Sequence, residues 1–139
     1  MVAKHTIVLT EDSQEDAMVI QEIFKRSELP FDLVHINDGE SLMDFVTSRD
    51  AYFNEDGTPK YLILLDLMMP KKDGIECLEE IRSNDNKDIR NLPIVIFSGS
   101  ECDEHFEKTM ALGANSFIPK PRNVKEVKEM FAGLADQLD

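Results

Sequence analysis

Short apolar runs alternate with amphipathic stretches along the whole chain. The most apolar run, at residues 61–65, shows no polar alternation and ends abruptly at Asp66, which is typical of a strand covered on both faces. Runs of the same kind, each followed by apolar residues at helical spacing, predict five strands in all, at residues 6–9, 31–36, 61–65, 93–97 and 116–118. The pattern therefore predicts a βα unit repeated five times.

The helices carry recognisable boundary residues. Ser13 is a predicted N-cap of the first helix, and Asn123 is a predicted N-cap of the last. Gly113 is a predicted C-cap of the fourth helix. Polar composition predicts surface loops at residues 50–60 and 83–92, and helical spacing predicts an apolar stripe on the last helix formed by Val124, Val127, Phe131, Leu134 and Leu138.

A repeated βα pattern predicts an α/β domain with a parallel sheet and helices on both faces. The expected architecture is a doubly wound, five-stranded sheet with strand order 2-1-3-4-5. No repeat or linker divides the chain, so residues 1–139 are expected to form a single domain without an output domain.

Polar residues follow four of the predicted strands. Glu11 and Asp12 follow the first strand, Asp66 the third, Ser98 the fourth and Lys120 the fifth. Because these strands are neighbours in the expected order, the five side chains should meet at one edge of the sheet. Clustered carboxylates repel one another unless a cation lies among them, and all-oxygen ligands favour Mg²⁺. Such a site has the components of phosphoryl transfer, with a carboxylate as nucleophile.

Composition narrows the location and the partners. The net charge of −13 disfavours binding to nucleic acid or to an anionic membrane. Residues 1–6 lack a signal-peptide core, which predicts a cytoplasmic protein. Cys77 and Cys102 have no metal-ligand spacing and are expected to be reduced thiols.

These motifs together resemble the response-regulator receiver family, of the chemotaxis-receiver type with a flavodoxin-like fold. The resemblance spans essentially the whole chain and rests on several motifs in order, namely Glu11-Asp12, Leu65-Asp66-Leu67-Met68-Met69-Pro70 with Asp73-Gly74, Ser98, Gly113-Ala114, and Phe117-Ile118-Pro119-Lys120-Pro121.

The resemblance implies a role for each site residue. Asp66 would be the phosphoacceptor, and Mg²⁺ would be held by Asp12, Asp66 and the backbone carbonyl of Met68, with Glu11 holding a metal-bound water. The remaining roles are a switch hydroxyl, a lysine that pairs with the phosphoryl group and a switch aromatic, assigned to Ser98, Lys120 and Phe117. The Lys120–Pro121 bond is expected to be cis.

The resemblance also implies partners. The nearest subgroup is the stand-alone regulators of phytochrome-type histidine kinases, on the basis of Leu64 to Leu67, Pro70 to Gly74 and the long loop at residues 50–60. The donor would be such a kinase or a phosphotransfer protein. A homodimer is expected through the fourth helix, the fifth strand and the fifth helix, since the last helix mixes Lys125 and Lys128 with Glu126 and Glu129.

Three other functions compete with this interpretation. A pseudo-receiver, a binding module without phosphotransfer, would lack the acidic pair, the acceptor or the lysine, and all of these are present. A phosphohydrolase with an aspartate nucleophile would carry Asp-x-Asp after its first strand, where this chain has Glu11-Asp12. A flavodoxin would need a phosphate cradle, for which residues 10–13 are too acidic.

The protein is expected to be a switch and not an enzyme, although it would promote its own phosphorylation and slow dephosphorylation. The family resemblance places Met68 and Ser100 beside the path of attacking water. A thioether is a poor hydrogen-bond partner and the Ser100 hydroxyl has a short reach, so slow self-dephosphorylation is predicted.

Overall fold

The structure is a computed structural model that describes residues 4–69, 71–99 and 103–138. Residues 1–3, Pro70, Ser100 and Cys102, on which some of the expectations above rest, lie outside the described residues.

Five parallel strands form one sheet in the order β2-β1-β3-β4-β5, which confirms the predicted doubly wound topology. Most of the strands run one residue beyond the predicted apolar runs, so that Asp66 and Ser98 are themselves strand residues. The strands are β1 (Thr6–Thr10), β2 (Asp32–Ile36), β3 (Tyr61–Asp66), β4 (Ile94–Ser98) and β5 (Ser116–Pro119).

In the part of the chain that the structure describes, six helices connect and flank these strands: α1 (Gln14–Arg26), α2 (Gly39–Thr47), α3 (Gly74–Arg82), α4 (Lys87–Arg90), α5 (Asp103–Ala111) and α6 (Val124–Leu138). The predicted caps are confirmed. Ser13 Oγ accepts a hydrogen bond from the Asp16 amide at 3.3 Å, and Asn123 Oδ1 accepts one from the Glu126 amide at 2.9 Å. Gly113 has φ +106° and ends α5 with the paired amide–carbonyl bonds of a Schellman motif. Among the described residues, no helix combines the length and the hydropathy needed to cross a membrane.

Two predictions about helices were wrong. The predicted loop at residues 83–92 contains the one-turn helix α4, which Asn86 caps and which buries Ile89 in the core. The predicted fourth and fifth helices are therefore α5 and α6. Val124 is the first residue of α6 and is 54% exposed, so it does not join the apolar stripe. Met130 is buried in the stripe instead.

Two apolar cores lie on opposite faces of the sheet. The alternating residues of β3 divide between them, with Leu62 and Leu64 facing α1 and α6, and Ile63 and Leu65 facing α2, α3 and α4. Burial on both faces explains why β3 is apolar at successive positions. It also fixes β3 tightly, so the residue at its carboxyl end has a defined position.

Candidate functional site

Asp66 is a buried carboxylate at the carboxyl end of β3. The residue is 1% exposed. Its Oδ1 accepts a hydrogen bond from the Met68 amide at 3.1 Å, and its Oδ2 accepts one from the Lys120 ammonium at 2.9 Å. The bond from the Met68 amide orients the carboxylate, and the ammonium supplies a counter-charge that makes its burial tolerable.

The Lys120 ammonium contacts carboxylates from two parts of the chain, Asp66 at the end of β3 and Glu11 after β1. The ammonium lies 3.0 Å from Glu11 Oε2, and the Lys120 backbone amide donates to the Ser98 carbonyl at 3.1 Å. Burial opposes the charged form, yet the hydrogen bonds and charges of Asp66 and Glu11 hold the pKa of Lys120 above its usual range. The ammonium therefore stays charged at physiological pH.

The expectation of a cis Lys120–Pro121 bond was wrong, because this bond is trans in the structure. The expectation rested on the need to bend the chain so that the ammonium returns to Asp66. The long lysine side chain makes this contact at 2.9 Å without such a bend.

Glu11, Asp12 and Asp66 form an acidic cluster. One carboxylate oxygen of each residue lies within 4.8 Å of one carboxylate oxygen of each of the other two. Glu11 is 1% exposed and Asp12 is exposed. Burial raises the pKa of Glu11 to about 7, the Lys120 hydrogen bond opposes the rise, and the Asp66 carboxylate adds to it. Glu11 and Asp66 thus share the Lys120 ammonium.

The cluster fits a hard divalent cation. Glu11 Oε2 is buried and accepts no hydrogen bond among the described residues, although the Lys120 nitrogen lies close to it. A buried anionic oxygen without such a bond is destabilising, and a cation offsets that cost. Carboxylate oxygens are the donors that Mg²⁺ takes, with water at the open positions.

The other predicted site residues surround this centre. Ser98 is buried at the end of β4, next to the β3 strand that carries Asp66. Met68 points its side chain outwards, 70% exposed, while its amide binds Asp66. Phe117 is half-buried on β5 and packs edge-to-face on Phe106 of α5, with ring centroids 5.7 Å apart.

Two glycines allow the β3–α3 connection to pack closely against neighbouring backbone. A Cβ on Gly74 would lie 2.4 Å from the Asp66 carbonyl oxygen, and a Cβ on Gly39 would lie 1.9 Å from the Lys72 carbonyl oxygen. Either methyl group would force the backbones apart, since real Cβ atoms do not approach so closely. The segment that follows Asp66 is therefore packed between α2 and α3.

Sequence reasoning missed two contributors, Gly39 and Thr10. The Thr10 hydroxyl donates to the Leu64 carbonyl at 2.8 Å and accepts from the Asp66 amide at 3.3 Å. A polar residue at the end of an apolar strand was the available signal for Thr10. For Gly39 the Asp-Gly turn signal was visible, but the partner at Lys72 is distant in sequence and could not be read.

A cavity of about 500 Å³ opens beside this centre, between α1 and the connection from β5 to α6. Glu11, Ser98 and Lys120 contribute to its wall, whereas Asp12 and Asp66 do not line it.

Comparison with known proteins gives a consistent picture. A sequence profile of the response regulator receiver domain matches residues 7–132. Response regulator Rcp1 of Synechocystis sp. (strain ATCC 27184 / PCC 6803 / Kazusa) is 35% identical over 128 residues, which cover 92% of this chain and 84% of Rcp1.

Solved structures agree with the sequence matches. The Mn²⁺-bound form of Rcp1 superimposes with a TM-score of 0.74 at 34% identity, covering 95% of this chain and 92% of Rcp1. The phosphorylated cyanobacterial phytochrome response regulator RcpA gives a TM-score of 0.78 at 32% identity, covering 98% of this chain and 94% of RcpA.

Proposed function

Because the chain belongs to the response regulator receiver domain family of two-component systems, we propose that it is a signalling switch that accepts a phosphoryl group on Asp66 with the help of Mg²⁺. The observation that carries the proposal is the buried Asp66 carboxylate, held by the Lys120 ammonium at 2.9 Å beside two further carboxylates. A carboxylate so placed is an oriented nucleophile with a cationic partner at hand.

In the proposed reaction, an Asp66 oxygen forms a bond to phosphorus while the phosphorus–nitrogen bond of a phosphohistidine donor breaks. The histidine nitrogen leaves with the electron pair of that bond. Asp12, Asp66 and the Met68 carbonyl would hold Mg²⁺, with Glu11 holding a metal-bound water. When bound, Mg²⁺ offsets negative charge on the phosphoryl oxygens. The proposed role of Lys120 is to offset the same charge with its ammonium, and the proposed role of Ser98 is a hydrogen bond to the phosphoryl group.

The proposed output is a change in the surface near Phe117. Ser98 and Phe117 lie on the adjacent strands β4 and β5, and Phe117 contacts the 47% exposed ring of Phe106. A movement of Ser98 towards a phosphoryl group would alter the space available to Phe117, and so alter the surface formed by α5, β5 and α6. We propose that this surface mediates a homodimer.

The proposed donor is a histidine kinase of the phytochrome type or a phosphotransfer protein. Support comes from the relatives, since RcpA is a phytochrome response regulator that was captured phosphorylated and Rcp1 was captured with Mn²⁺. The proposal includes action as a stand-alone receiver in the cytoplasm, as a switch and not as an enzyme. Both relatives are matched over most of their own length.

Intact mass measurement tests the proposal. Wild type incubated with acetyl phosphate and Mg²⁺ should gain one phosphoryl group, and it should gain none after Mg²⁺ is chelated. Asp66→Asn should gain none, whereas the exposed control Asp85→Asn should behave as wild type. Labelling of Asp66→Asn to the wild-type extent would refute the proposal.

A further inference from the structure

The two halves of the acidic cluster stand on different strands. Glu11 and Asp12 follow β1, and Asp66 ends β3. The distance between their carboxylates depends on how β1 and β3 are held at their carboxyl ends. The last residue pair in the register between these strands is Thr10 with Leu65, immediately before the chain segments that carry the carboxylates.

Beyond this pair, each chain is paired with its other neighbour in the sheet. The Glu11 amide donates to the Ile36 carbonyl of β2 at 3.0 Å. Asp66 pairs in register with Phe97 of β4 on its other side. The end of the β1–β3 pairing is thus the place where small movements would most change the separation of the carboxylates.

The Thr10 side chain ties the strands together at this place. Its hydroxyl donates to the Leu64 carbonyl at 2.8 Å and accepts from the Asp66 amide at 3.3 Å. Thr10 is completely buried, so water does not compete for these bonds. The Thr10 hydroxyl, on the strand that leads to Glu11, therefore contacts the backbone of β3 on both sides of Leu65.

We infer that Thr10 is a positioning residue, whose hydroxyl sets the spacing between Asp66 and the Glu11–Asp12 pair for Mg²⁺ binding and phosphoryl transfer. This inference rests on the proposed function. Metal ligation and in-line transfer both require oxygens placed to within a fraction of an ångström, and groups that orient ligands from behind commonly affect metal affinity about tenfold. The hydroxyl contacts neither the metal nor the phosphoryl group in this scheme and acts through the backbone.

The test compares Thr10→Val with Thr10→Ser. Valine keeps the shape and removes both hydrogen bonds, whereas serine keeps the hydroxyl. Calorimetric titration of folded protein with Mg²⁺ should show about tenfold weaker binding for Thr10→Val. Labelling by acetyl phosphate at subsaturating Mg²⁺ should slow by a similar factor, about tenfold. In Thr10→Ser, the Mg²⁺ affinity and the labelling rate should both stay within about threefold of wild type.

Thr109→Val is the matched control. Thr109 is also completely buried, and its hydroxyl donates to the His105 carbonyl at 2.7 Å on α5. This variant should lose stability without losing Mg²⁺ affinity. If Thr10→Val does not fold, the pair Thr10→Ser and Thr10→Ala gives the same comparison without the methyl group.

Three outcomes would overturn the inference. These are wild-type Mg²⁺ affinity and labelling in Thr10→Val, equal defects in the serine and valine variants, and an equal loss in the Thr109→Val control. Failure of the proposed function is distinguishable, since wild-type protein would then neither bind Mg²⁺ nor take up a phosphoryl group.

Discussion

At the scale of single residues, Glu11 carries a charge that the folded protein tolerates poorly without a cation. Its folded pKa of about 7 lies above the usual 4.5, so the folded state binds the proton more tightly than the unfolded state does. Without metal, stability should therefore fall as pH rises from about 4.5 through 7.

Glu11→Gln removes this charge and should be about 1–3 kcal/mol more stable than wild type at pH 8 in the presence of a chelator. At pH 5, where wild-type Glu11 is protonated in the folded state, the difference should nearly vanish. Urea unfolding at the two pH values measures the effect, with the exposed Glu107→Gln as control. Equal stability of wild type and Glu11→Gln at pH 8 would contradict this account of the cluster.

The Met68 side chain should affect the lifetime of the phosphoryl group on Asp66. Its exposed thioether stands two residues after Asp66 and offers attacking water almost no hydrogen bond. The double variant Met68→Asn, Ser100→Glu introduces groups that orient water, so its phosphoryl group should decay faster, by about tenfold.

Decay followed by intact mass after removal of the donor would measure this. Met18→Asn, which changes an exposed methionine on α1, serves as the control. Decay of wild type as fast as that of the double variant would refute the argument about water.

At the scale of elements, the connection from β3 to α3 depends on α2. The 1.9 Å separation between a Cβ on Gly39 and the Lys72 carbonyl oxygen leaves no room for any side chain. Gly39→Ala should therefore lower the free energy of unfolding by about 2–3 kcal/mol.

Gly133→Ala is the matched control, because among the described residues nothing beyond the neighbouring backbone of α6 lies within 4 Å of a Cβ at this exposed position. It should stabilise the protein by about 0.5–1 kcal/mol through helix propensity. Chemical denaturation measures both variants, and the same sign of effect in both would contradict the packing argument.

Some structural elements could be predicted from the sequence and others could not. The strand order and the meeting of Asp66 with Lys120 follow from apolar runs and from the residues that end them, since βα topology leaves few alternatives. Helix α4 was missed because one turn with a single buried residue, Ile89, has no detectable period. The roles of Thr10 and Gly39 depend on contacts with distant segments, which no local pattern records.

At the scale of the whole molecule, association should follow phosphorylation. The ring of Phe106 is 47% exposed on the surface formed by α5, β5 and α6. On α6, Lys125 lies 3.9 Å from Glu129 within its own helix, in an exposed pair that could exchange partners with a second copy at little cost.

The mass of phosphorylated wild type in sedimentation should therefore exceed that of the unphosphorylated protein, and Phe106→Ser should abolish the increase. Met18→Ser removes an even more exposed apolar residue on α1, 66% exposed, and should leave the increase intact. A monomeric wild type in both states would count against this surface as a dimer interface.

Chemical mapping with hydroxylamine shows whether Asp66 itself becomes an acyl phosphate. Wild type is treated with acetyl phosphate and Mg²⁺, then with hydroxylamine, which converts an acyl phosphate into a hydroxamate, and is digested for peptide mass analysis. We expect a hydroxamate on Asp66, and none when Mg²⁺ is chelated before acetyl phosphate is added. A hydroxamate on Glu11 or Asp12 with Asp66 unmodified, or none on any residue, would contradict this expectation.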